Sequence, residues 1–216
     1  DYLQGLAASQ TGGYLAGEEQ NTLATIDTDS YSVFGQIDYD LTDELVLVSG
    51  LRLVRENKSM DGQLRQNANL VDRDIEVDYG IDPLVDVAMD NDETMWSAKL
   101  QLDYKPNSDT LLYAGINRGV KAGNFNAPLG GSFSTYDAEV LLAYEAGAKL
   151  TLMDGKAQLN SSIFYYDYSD YQSFSWVNNA GVVFNEDAQF TGAEVELLLN
   201  PIDALDIMFG VSYTDA

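Results

Sequence analysis

A chain of 216 residues can form one domain or a section of a larger one, and its 45% hydrophobic content includes no run near the roughly 18 apolar residues of a membrane helix. Lys and Arg number 11 against 35 Asp and Glu, a net charge of −24 that excludes a cationic nucleic-acid surface. Cysteine and histidine are both absent, which rules out disulfides, thiolate or histidine-ligated metal and serine–histidine triads within the sequence.

The chain starts at Asp1 without an initiator Met or a basic-then-apolar leader, so a processed leader or a partial sequence is expected. Tyr31, Val33, Gly35, Ile37 and Tyr39 alternate with Ser32, Phe34, Gln36 and Asp38, the period of a strand, and Thr42-Asp43 then reverses the chain. Leu45, Leu47, Leu51 and Leu53 continue on one face of a second strand, with Gly50 and Arg52 on the other.

Asn57 to Asp92 reads as the longest loop, and it gathers Asp61, Asp72, Asp74, Glu76, Asp78, Asp82, Asp86, Asp90 and Asp92, with Glu93 beside it. Solvation accounts for such a loop. Divalent-cation binding is the sharper alternative, although no segment has the spacing and glycine of an EF-hand.

A third strand sets Trp96, Ala98, Leu100, Leu102 and Tyr104 against Ser97, Lys99, Gln101 and Asp103. Lys105 to Asp109 forms the next turn, and Leu111 to Lys121 runs back as a fourth strand. The fifth places Tyr144, Ala146, Ala148, Leu150 and Leu152 opposite Glu145, Gly147, Lys149 and Thr151, ahead of a hairpin at Asp154-Gly155. A sixth runs from Lys156 towards Trp176. The seventh sets Ala193, Val195, Leu197 and Leu199 against Gly192, Glu194 and Glu196 and ends at Asn200-Pro201. The eighth sets Leu205, Ile207, Phe209, Val211 and Tyr213 against Asp206, Met208, Gly210, Ser212 and Thr214.

Eight alternating strands fit either a secreted antiparallel sandwich or a transmembrane β-barrel. Several strands reach roughly ten residues, the length that crosses a bilayer at a tilt, where sandwich strands usually have about five or six. Tyr39 and Tyr104 lie near short turns, while Phe164, Tyr165, Tyr166, Tyr168, Tyr171, Phe174 and Trp176 crowd towards a long-loop end, as interfacial aromatic girdles do. The expected architecture is all-β: an up-and-down meander of about eight strands, with short periplasmic turns and long extracellular loops. Four short turns against three longer loops put both chain ends outside, so residues 1–216 are expected to form an interior part of one larger barrel.

Arg118-Gly119-Val120-Lys121-Ala122-Gly123-Asn124-Phe125-Asn126, following Leu112-Tyr113-Ala114, resembles a strand-to-loop passage of TonB-dependent outer-membrane receptors. Tyr144 to Lys149, Asp154-Gly155, Phe164 to Tyr168 with Gln172, and Gly192 to Glu196 resemble the hairpins that follow it. Phe34-Gly35-Gln36, Leu41-Thr42-Asp43 and Gly50-Leu51-Arg52 are similar to an earlier one.

This resemblance implies active uptake of ferric siderophores or similar nutrients across a Gram-negative outer membrane. Outer-membrane lipid would surround the barrel, and the TonB complex would act through a plug domain that this sequence lacks. It implies no catalysis, no cofactor and no protein metal ligand, since iron would arrive inside its chelator. Lys121, Asn124, Phe125, Asn126, Tyr136, Phe174 and Trp176 become candidates for an outer vestibule that first holds the substrate. Arg52, Glu145, Lys149, Glu194 and Glu196 become lumen-facing structural residues, with Glu145–Lys149, Arg52–Asp38 and Arg52–Glu194 as possible ion pairs. Gly119 and Gly123 would ease a bend or a close approach. A passive porin-like or structural barrel, an outer-membrane barrel enzyme and the sandwich binding module are the alternatives.

Overall fold

The computed structural model describes residues 18–68, 85–127, 133–177, 180–202 and 204–216. Its strands are β1 (Glu18–Asp40), β2 (Leu45–Ala68), β3 (Val85–Asn107), β4 (Thr110–Lys121), β5 (Asn124–Asn126), β6 (Ser134–Tyr136), β7 (Glu139–Leu152), β8 (Ala157–Val177), β9 (Ala180–Ile202) and β10 (Leu205–Asp215). The eight long strands form one antiparallel sheet in the order β1-β2-β3-β4-β7-β8-β9-β10, and β5 pairs with β6 between β4 and β7. Each long strand lies beside its predecessor, the up-and-down order of a barrel wall. A sandwich would have divided these strands between two packed sheets.

The turns at one end are short for local reasons. Thr42 Oγ1 accepts from the backbone N–H of Glu44 and of Leu45, at 3.2 and 3.0 Å, closing the first reversal. Asn107 Oδ1 accepts from Asp109 N at 2.9 Å in the second. Met153, Asp154 and Gly155 all take positive φ in the third. The expected reversal at Asn200-Pro201 falls later: β9 continues through Ile202, which pairs with Leu205. Pro201 withdraws one ladder donor at the very end of a strand, where its loss matters least.

Through the apolar band, register fixes the two faces. Across the sheet Leu47, Leu102, Ala114, Ala146, Ile163, Ala193 and Tyr213 form one row of directly paired residues. The row above reads Ser49, Leu100, Ile116, Tyr144, Tyr165 and Thr191. Every apolar set picked out by alternation lies on this one face, and β4 contributes Leu112, Ala114 and Ile116 to it. Leu100 and Ile163 on it are 54% and 63% exposed, so among the described residues no protein covers it.

The apolar band is bounded by rings. Tyr31 and Trp96 mark its upper edge on β1 and β3, and Tyr39 and Tyr104 its lower edge there. Roughly nine residues run from Tyr39 to Tyr31 and from Tyr104 to Trp96, the length that crosses a bilayer at a tilt. Phe164, Tyr166 and Tyr168, expected in the same girdle, alternate with Tyr165 and therefore face the other side.

The strands do not stop at the upper rings. β2 and β3 remain paired to Leu64 and Val85, so residues 57–64 and 85–92 of the expected loop are the strands of a tall hairpin. Asp61, Asp86, Asp90, Asp92 and Glu93 sit in its strands, while Asp72, Asp74, Glu76, Asp78 and Asp82 lie outside the described residues. Among the described residues, no group of three or more acidic side chains is arranged to hold a metal ion. β8 and β9 form a second tall hairpin, paired to Val177 and Ala180. Strand extension thus distinguishes the two ends among the described residues.

Candidate functional site

The face opposite the apolar band carries the polar residues. Gln36, Arg52, Lys99, Gln101, Asn117, Glu145, Lys149, Glu194 and Glu196 all lie on it by register. All five expected lumen residues thus share one face. Their expected ion pairs do not form: the Arg52 guanidinium donates to Ser32 Oγ at 3.3 Å, and Glu145 accepts instead from the Tyr113 hydroxyl at 2.6 Å. Arg52 and Glu194 sit on β2 and β9, with four strands between them.

Small residues opposite rings organise this wall. Tyr113 pairs directly with Gly147, and a Cβ there would stand 2.6 Å from the Tyr113 hydroxyl oxygen. Gly147 therefore lets the ring lie across β7 with its hydroxyl at Glu145. Phe164 covers Gly192 in the same way and stacks on Tyr166 with ring centroids 4.5 Å apart. The aromatic–glycine pairing is a register device.

Above the band, β4 and β7 are short while their neighbours β3 and β8 continue upward. Residues 122–127 and 133–138 lie in the resulting notch. On the β2–β3 side, Lys58 Nζ donates to Gly123 O at 2.6 Å, and Gly123 N donates to Glu93 Oε2 at 3.1 Å. On the β8 side, Gln172 Nε2 donates to Ala122 O at 2.8 Å and to Asp137 O at 3.2 Å. Asn185 Nδ2 donates to Asp137 O at 3.0 Å, and Asn185 Oδ1 accepts from Asp137 N at 2.8 Å. A Cβ at Gly123 would collide with Tyr136 O and Glu93 Oε1, so this glycine permits a close approach; at Gly119 it would make only an ordinary contact with Leu141 Cβ at 3.8 Å.

The expected vestibule residues separate into three positions. Lys121 ends β4 on the polar face and is exposed. Phe125 and Asn126 are buried, each 7% exposed; Asn126 Nδ2 donates to Val183 O at 2.7 Å, and its Oδ1 accepts from Val183 N at 2.9 Å. Asn124 and Tyr136 are half-buried and pair directly in the β5–β6 ribbon.

Phe174 and Trp176 stand near the tip of β8, 60% and 69% exposed, with ring centroids 5.8 Å apart. An extra residue at Ser169-Asp170, with Asp170 at φ 57°, shifts the β8–β9 register between Tyr168 and Tyr171. Beyond this bulge the even-numbered residues of β8 occupy the face of Ile163 and Tyr165. Phe174 and Trp176 thus lie on the outward side of the wall, away from Lys121. Alternation alone missed Lys58, Glu93, Gln172 and Asn185, whose roles come from partners far along the chain.

Comparison with known proteins agrees with this geometry. The chain is similar in fold to three solved receptors: the ferric yersiniabactin uptake receptor FyuA of Yersinia pestis (TM-score 0.71, 17% identity, covering 91% of this chain and 28% of that one), the ferric-catecholate import receptor Fiu of Escherichia coli K12 in its closed form (0.64, 15%, 88% and 28%), and the siderophore receptor PiuA of Acinetobacter baumannii (0.64, 16%, 89% and 26%). The chain therefore spans under a third of the length of these receptors. The family model described as TonB dependent receptor-like, beta-barrel matches residues 1–216, and an outer-membrane location follows from the family. The chain belongs to the TonB-dependent receptor-like β-barrel family.

Proposed function

We propose that this chain is a section of the barrel wall of an active importer, which takes up ferric siderophores or chemically similar chelates with energy from the TonB complex, coupled through a plug domain. The observation that carries this reading is the register through the band: eight strands keep one bare apolar face and one polar face, as a wall between lipid and a wet or plugged lumen requires. Short turns then face the periplasm, and the two tall hairpins stand outside.

In this arrangement Lys121 is the substrate-facing residue of the outer rim, exposed on the lumen side where an anionic chelate would descend. Asn124 and Tyr136 shape the ribbon beside it, and Phe125 and Asn126 hold that ribbon in place. Phe174 and Trp176, on the outward side of a tall hairpin, would meet a ligand only at its first approach. The polar residues Glu145, Lys149, Glu194 and Glu196 line the passage and contact the plug.

The test is uptake of a radiolabelled ferric siderophore by cells whose only receptor for it is the full-length protein. Uptake should require TonB and stop on dissipation of the proton gradient, and Lys121→Glu should weaken binding about tenfold with assembly unchanged. Uptake that persists without TonB would assign the barrel to passive diffusion and overturn the proposal.

A further inference from the structure

Two carboxylates stand directly opposite each other where the β2–β3 hairpin rises above the apolar band: Glu56 pairs with Glu93 on the polar face. Like charges at opposed positions destabilise a sheet, and conflicts of this kind gather at functional sites. Lys58, two residues on, lies 2.7 Å from Glu56, with the two side chains only 10% and 17% exposed. That pairing leaves Glu93 without a cation among the described residues, and its Oε2 accepts from Gly123 N instead.

Gly123 is thus held at both of its backbone polar groups. The Lys58 ammonium donates to its carbonyl at 2.6 Å, and its N–H donates to Glu93 at 3.1 Å. Both bonds are charge-assisted, the stronger kind, and they join residues 65 and 30 positions apart in the chain. On the same side Phe133 lies over Gly62, where a Cβ would stand 2.7 Å from its ring. Met60 and Leu64, flanking Gly62 on that face, are 1% and 3% exposed.

The β8–β9 hairpin holds the other side by neutral amides: Gln172 at Ala122 and Asp137, Asn185 at Asp137, and Asn126 at Val183. Ala122 and Gly123, the two residues after Lys121, are therefore fixed from opposite sides. Residues 124–126 pair with 134–136, which makes the two runs one piece. In the sheet β3 and β8 are separated by β4 and β7, which end lower, so above the band this piece bridges the two tall hairpins.

We infer that Lys58 and Glu93 are positioning residues of the outer rim: by clamping Gly123 they set the place of Lys121 and couple the β2–β3 hairpin to the β8–β9 hairpin. The effect on Lys121 rests on its reading as the residue that meets the substrate, whereas the coupling does not. Because the β5–β6 ribbon is one paired piece, its two attachments open together. Loss of the clamp on β2–β3 then loosens the amide contacts on β9, although neither Lys58 nor Glu93 touches that strand.

The experiment is hydrogen exchange by mass spectrometry on the full-length receptor. Glu93→Ala and Gly123→Ala break the clamp from its two sides. Each should speed exchange about tenfold across 122–127 and across 181–185, where Val183 N–H is held by Asn126. Glu93→Gln keeps an acceptor oxygen and should restore most of the protection. Arg55→Ala removes an ion pair on the other face of the same hairpin and should leave both regions unchanged. If Arg55→Ala loosens them as Glu93→Ala does, or if 181–185 stays protected while 122–127 loosens, the coupling is overturned. At the rim, affinity for the radiolabelled ferric siderophore should fall about tenfold in Glu93→Ala and return in Glu93→Gln. Unchanged affinity in Glu93→Ala, where Lys121→Glu weakens binding, would overturn the positioning role. Unchanged affinity in Lys121→Glu as well would instead remove Lys121 from the substrate path, and the exchange results would still decide the clamp.

Discussion

Tyr113, Gly147 and Glu145 form the smallest unit in which the polar face has a determined geometry. The hydroxyl bond to Glu145 is short at 2.6 Å, and it forms because Gly147 leaves room for the ring to cross β7. A hydrogen bond to a charged group contributes about 1.5–3 kcal/mol when sheltered, and less on a wet face. Tyr113→Phe should therefore destabilise the full-length receptor by about 1 kcal/mol. Gly147→Val should cost more, because a branched side chain displaces the ring and loses the same bond. The two changes should be less than additive, since either alone removes the interaction. Denaturant unfolding in lipid measures all three variants. Full additivity would show that the glycine and the tyrosine act independently.

At the scale of elements, the tall hairpins and the segment between them were the least legible part of the sequence, and the reason is physical. Alternation records a difference between two environments. From Tyr31 to Tyr39 or Trp96 to Tyr104 one side faces hydrocarbon, so the period of two is plain. Above the upper rings that apolar environment ends, and Asn57 to Ala68 read as loop although they are paired strand. The polar-face residues Arg52, Glu145, Lys149, Glu194 and Glu196 were legible for the same reason that the lipid face was. Asn126 was legible only as part of a motif, since its partner Val183 is 57 residues away.

The bulge at Ser169-Asp170 was invisible because one inserted residue leaves no periodic trace in a polar stretch. Its effect is nonetheless large, since it decides which way Gln172 points and thus whether Ala122 and Asp137 are held. Deleting Asp170 should return β8 to simple register, turn Gln172 to the other face and release segment 122–127. Asn126→Ala should release the same segment by a separate route, since its two hydrogen bonds to Val183, at about 1 kcal/mol each, correspond to an open population about thirtyfold larger. Hydrogen exchange on the full-length receptor reads both changes. Protection of 122–127 that survives the Asp170 deletion would mean that the bulge does not position the rim.

The whole molecule is decided by which face meets lipid, and the register turns that into a depth scale. Leu100 lies halfway between Tyr104 and Trp96, at mid-band, and is 54% exposed. Leu150 shares its face but pairs with Leu159, two residues from the turn at 153–156, and so sits near the periplasmic boundary. A cation on a lipid face costs about 2–4 kcal/mol at the midplane and about 0–1 kcal/mol near an interface. Leu100→Arg should therefore impair assembly strongly and Leu150→Arg mildly. Lys149→Ser, beside Leu150 but on the polar face, should leave assembly unchanged. A soluble sheet would reverse or flatten this series, because a cation on an exposed face in water costs little at any height. Heat-modifiability of the full-length receptor, followed by unfolding in lipid, ranks the three variants. Equal behaviour of Leu100→Arg and Lys149→Ser would refute the lipid-facing assignment, and with it the direction of every side chain that the sheet's register now orders.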